Sequence, residues 1–80
     1  MDATATQILA TAREAIERGE RVLTRQREVI ARRVAAGRPD LASIELLLRF
    51  EATQARHLAA FNRLLVRWGG RTAHPRNNIT

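Results

Sequence analysis

The sequence predicts an all-α protein: an antiparallel hairpin of two long helices that dimerises into a four-helix bundle. Three observations point there. The 80 residues are interrupted at only two places, Gly37-Arg38-Pro39-Asp40 and Gly69-Gly70. Apolar residues recur at the spacing of a helix packed lengthwise on another helix, with Leu9, Ile16, Leu23 and Ile30 seven apart and Ile8, Ala15, Val22 and Val29 beside them. The break between the two periodic stretches is too short for anything but antiparallel neighbours.

The first helix is expected over residues 4–36. Thr4 and Gln7 fit a capping box, with Asp2 as the alternative cap. Its β-branched residues lower intrinsic helix propensity slightly, so packing has to contribute. Gly37 stands where a helix ends in a left-handed residue, and Pro39 blocks continuation. Asp40 then suits the cap of a second helix over residues 41–68. The seam of that helix is Leu47, Phe50, Gln54, Leu58, Phe61, Leu65 and Trp68, in steps of three and four. Ile44, Leu48, Ala55, Leu64 and Val66 widen it to a sector of roughly 200° at ~100° per residue, more than one partner helix covers. Residues 69–80 have no periodicity and are expected to form a flexible basic tail.

With the turn near residue 38, residues whose numbers sum to about 77 should stand level in an antiparallel pair. Leu9 then meets Trp68, Ile16 meets Phe61, Gly19 meets Leu58 and Ile30 meets Leu47. On this register Gln26 faces Glu51, with Gln54 a turn away. These three should form one polar layer that fixes register and oligomeric state.

Composition removes several functional classes. The chain has no Cys, which excludes disulfides and thiolate metal sites. No apolar run approaches the ~18–20 residues of a membrane span, and Met1-Asp2-Ala3-Thr4 does not resemble a signal peptide, so a cytoplasmic protein without membrane partners is expected. Ser43 is the sole serine and sits where helix capping explains it. There is no phosphate-binding glycine loop. Glu51 lacks a second titrating partner for acid–base work, and its spacing from His57 is not the Glu-x-x-His of bundle metal sites. No catalytic residue, metal or cofactor is expected, and the protein is read as a non-enzyme.

The net charge of +6 is carried entirely by arginine. Arg-only usage has an ordinary explanation in a GC-rich coding sequence, so placement is more informative than number. Glu14–Arg18, Glu17–Arg21, Glu28–Arg32 and Glu45–Arg49 are spaced for ion pairs on a solvated face. After Glu51 there is no acid, and Arg49, Arg56, Arg63 and Arg67 line up opposite the apolar seam. Such a stripe could follow nucleic-acid phosphates, although no aromatic side chain is interleaved for base stacking. Asn78-Ile79-Thr80 matches the glycosylation pattern only by chance in a chain read as cytoplasmic.

Gly19-Glu20-Arg21, Arg25-Gln26 with Ile30, the Gly37 turn with Asp40, Leu47-Leu48, Phe50-Glu51, His57 and Arg63-Leu64 resemble, in their order, a group of small bacterial helical-hairpin proteins without an established activity. The resemblance covers roughly residues 18–66 and implies a hairpin with a shared polar layer. The architecture is also similar to Rop-type plasmid regulators, which dimerise as four-helix bundles and bind RNA; this is an analogy of fold alone. The function expected is that of an assembly protein, a homodimer or a module docking on another helical protein. Its interface would comprise Leu9, Ile16, Leu23, Ile30, Leu47, Phe50, Leu58, Phe61, Leu65 and Trp68. A nucleic-acid-binding regulator using the arginine stripe is the alternative.

Overall fold

A computed structural model describes residues 3–69 as two helices in contact. Helix α1 runs Ala3–Ala35 and helix α2 runs Leu41–Leu64. A single π-type turn, Leu65–Gly69, continues α2. At this transition the Leu65 N–H is shared between the Asn62 and Phe61 carbonyls, a common arrangement at helix ends. The expected basic tail, with His74 and Asn78, lies beyond Gly69, outside the described residues apart from its first glycine.

The connection is built as its residues dictate. Gly37 has φ +72°, the left-handed conformation that a Cβ would strain. Around it the Arg38 N–H reaches the Arg33 carbonyl at 2.8 Å and the Gly37 N–H reaches Val34 at 2.9 Å, the paired bonds of a Schellman cap. Asp40, in extended conformation, accepts the Ala42 N–H on its side chain at 3.1 Å. Its other carboxylate oxygen accepts the Ser43 hydroxyl at 2.9 Å. Arg33, in the last turn of α1, lies 3.3 Å from the same carboxylate and ties the two helix ends together. The α1 start differs from expectation. The helix already includes Ala3, so Thr4 is inside its first turn and is not the cap; the alternative cap, Asp2, lies outside the described residues.

The helices are antiparallel, but their register is slipped by one turn from the sequence-based one. Gly19 stands against Gln54, four residues from the expected Leu58; the long Gln26 side chain reaches back to the Ser43 carbonyl instead of meeting Glu51. A four-residue slip is about one helical turn, and it preserves apolar matching because both seams repeat on nearly every turn. The choice is made by Gly19. Without a side chain it lets Gln54 reach the α1 backbone.

The interior is small. Among the described residues, Ala5, Leu9 and Leu23 are the buried apolar residues and Gln54 the buried polar one. No described helix is long and apolar enough to cross a membrane.

Candidate interaction surfaces

Most of the residues expected to carry the interface are already covered, at least in part, within one chain. Leu9 and Leu23 are buried. Ile16, Ile30, Leu47, Phe50, Phe61, Leu65 and Trp68 are half-buried, and Leu58 is exposed. Phe61 carries the Arg13 guanidinium 5.7 Å from its ring centre, a cation–π contact absent from the sequence reading.

Gln26, Glu51 and Gln54 do not form a common layer. The Gln26 amide donates to the Ser43 carbonyl at 2.9 Å, near the turn. Glu51 accepts from Arg27 at 3.4 Å, and both side chains remain about half exposed, at 42% and 54%. Gln54 is the buried member, at 4% exposure. Its Nε2 donates to the Ile16 carbonyl at 2.9 Å and to the Glu20 carboxylate at 3.0 Å. Two acceptors on one nitrogen fix the orientation of the amide. They leave Gln54 Oε1 pressed on Gly19 with no hydrogen-bond partner. The slip brings Gln54 to Gly19, whereas Glu51 pairs with Arg27, the neighbour of the Gln26 it was expected to face.

His57 and Glu51 also part company. His57 helps to line a groove of about 320 Å³ between the helices, with Ala15, Val22, Phe50 and Gln54. Its Nδ1 is buried and has no hydrogen-bond partner. Glu51 is not among the groove's residues. No group of three His, Asp or Glu side chains that could hold a metal occurs among the described residues.

The arginines behave as exposed cations. Arg49, Arg56, Arg63 and Arg67 are all exposed on α2 and its terminal turn. Arg56 bonds the Thr53 hydroxyl at 3.1 Å, and Arg67 stands 5.7 Å from the Trp68 ring centre. None of the four same-helix Glu–Arg pairs closes to ion-pair distance among the described residues. Each such pair contributes only ~0.2–0.5 kcal/mol, close to the entropy lost in holding two long side chains.

The most exposed large apolar side chains lie on α2 and its terminal turn. Leu41 is 69% exposed, Leu48 58% and Val66 79%. Ile44 and Leu58 are exposed beside them. The widened apolar sector included Ile44, Leu48 and Val66 but not Leu41. Leu46, also exposed on α2, was likewise absent from it. No family model matches the chain, and no curated protein or solved structure shows significant similarity to it.

Proposed function

We propose that this protein is a non-enzymatic helical assembly protein of the cytoplasm, acting as a homodimer or docked on another helical protein. The observation that carries the reading is the imbalance between core and surface. Among the described residues three apolar ones are buried, whereas Leu41, Ile44, Leu48, Leu58 and Val66 are exposed along α2 and its terminal turn. Full burial of one Leu, Ile or Val side chain contributes ~1.5–3 kcal/mol. Covering this row would therefore add as much as a small domain's entire stability, ~5 kcal/mol or more. A two-helix chain of this length has a marginal core by itself.

The test is the mass of the protein in solution by sedimentation equilibrium over a concentration series, for wild type and Phe61→Asp. An associated wild type, with a variant that loses mass or unfolds, is the expected result. A stable, fully folded monomer in both would defeat the reading.

A second reading rests on a different observation: four exposed arginines on one side of α2, with no acid on the chain after Glu51. These would hold the phosphates of a structured RNA or a DNA duplex. Binding across a salt series should then weaken by ~0.9 in log affinity per log salt for each phosphate engaged on duplex DNA. Arg56→Glu with Arg63→Glu should abolish binding while helical content persists. Unchanged affinity in that variant would remove the stripe from consideration.

A further inference from the structure

We infer that α2 packs antiparallel on α2 of a second copy of this chain, about a twofold axis between Ala52 and Ala55. The inference rests on the assembly reading above and names its partner and geometry.

The surface is continuous and uncharged along its centre. At ~100° per residue, Leu41, Ile44, Leu48, Ala55 and Ala59 fall in about one quadrant of α2, and Val66 follows them in the terminal turn. All six are exposed. This quadrant lies beside the line of Gln54 and Phe61 that meets α1. It is therefore free while the hairpin is intact.

Apart from Ile44, which stands nearly level with the partner's Asn62, the pattern is its own complement when reversed, as a twofold contact requires. Large residues stand at the ends and alanines at the middle. Setting Ala52 against the partner's Ala55 places Leu48 against the partner's Ala59 and Leu41 against the partner's Val66. Large meets small beside the axis, and the two ends meet leucine to valine. Small central residues allow close approach of the helices, so the flanking leucines can reach across.

One pair of rim charges reverses in the same way. Glu45 and Arg63 are about five turns apart at 3.6 residues per turn, and so lie on the same side of α2, along the outer edge of the stripe. The antiparallel twofold puts each Glu45 beside the partner's Arg63, twice per dimer. A parallel pairing would oppose Glu45 to the partner's Glu45 and Arg63 to the partner's Arg63. Rim charges of this kind contribute little affinity but discriminate between orientations.

The chain has no cysteine, so single thiols can be introduced as reporters. Three variants, Ala55→Cys, Leu41→Cys and Val66→Cys, are treated with a short thiol-specific cross-linker. Ala55→Cys should cross-link to itself, because its two copies stand ~5 Å apart along the axis at 1.5 Å rise per residue. Leu41→Cys and Val66→Cys should each fail alone, their copies being ~37 Å apart at the same rise, and should cross-link when mixed. Leu48→Glu should keep its helical circular dichroism, since the position is exposed, and raise the dimer dissociation constant at least about tenfold.

A dimer that cross-links Leu41→Cys to itself and Val66→Cys to itself would overturn the antiparallel arrangement and leave the assembly reading standing. So would a dimer that cross-links at none of these positions or is unaffected by Leu48→Glu. A folded monomer at every concentration would overturn the inference and the assembly reading together.

Discussion

Gly19 and Gln54 act as one unit. A glycine in mid-helix costs ~1 kcal/mol relative to alanine. Here the missing side chain makes room for an amide that bonds the Ile16 carbonyl and Glu20. A Cβ at position 19 would collide with Gln54 Oε1 and expel it, losing two hydrogen bonds of ~0.5–1.5 kcal/mol each. Gly19→Ala should therefore destabilise the protein by ~1 kcal/mol net, the propensity gain offsetting part of the loss. In a Gln54→Ala background the same change should become stabilising by up to ~1 kcal/mol. Urea denaturation of the four-member cycle measures both; independent, additive effects would show that the pair is uncoupled.

Asp40 gives the clearest pH dependence at this scale. The Ser43 hydroxyl bond lowers its pKa from the ordinary 3.8; desolvation, the next largest effect, opposes this, and the Ala42 N–H and Arg33 add to the lowering. A lowered pKa in the folded state means that the carboxylate stabilises the fold at pH above 3.8 and that this contribution fades as pH falls through the folded value. Helicity should decline on acidification below pH ~4, and Asp40→Ala should be less stable at pH 7 and show a shallower decline. Circular dichroism across an acid titration reads both; parallel titrations of the two proteins would remove Asp40 as the cause.

Among the elements, the helices and their connection were legible in the sequence and their register was not. Gly37, Pro39 and Asp40 each force or forbid a backbone state, so the turn could be placed to the residue. The seven-residue repeat likewise requires helices packed lengthwise. Register is a weaker signal, because a seam with apolar residues on nearly every turn matches equally well after a slip of one turn. The deciding contact is between a glycine and a glutamine, which hydrophobic matching does not score. The same weakness misplaced the polar layer: Gln26, Glu51 and Gln54 are all polar members of α1 and α2, but only Gln54 has a hole opposite it. The α1 start was placed one residue late, because a capping-box pattern at Thr4 looks the same just inside a helix. At this scale, Gly37→Ala should cost ~1–2 kcal/mol, since φ +72° strains any L-residue with a Cβ. An equally stable variant by thermal melting would mean that the turn relaxes to another form.

For the whole molecule, the two surfaces of α2 separate folding from association. Phe61 is half-buried against α1 and carries Arg13, so Phe61→Asp should damage the hairpin as well as any assembly. Leu48 is exposed, so Leu48→Glu should spare the hairpin and affect only what covers it. Comparing the melting temperature with the sedimentation mass of both variants tests the separation. If Leu48→Glu unfolds the chain at all concentrations, the hairpin has no stable existence apart from its partner.

The Schellman turn also has a kinetic consequence. The ion pair of Arg33 with Asp40 closes across seven residues of chain and the Gln26–Ser43 bond across 17, whereas Gln54 must find Ile16 across 38. Loop-closure entropy rises with the length enclosed, so the chain meets its contacts in order outward from Gly37. Folding should proceed like a zipper from the turn, on the microsecond-to-millisecond scale of proteins dominated by local contacts. The amides of Leu9 and Leu65, at the far end, would then exchange with solvent sooner than those beside the turn.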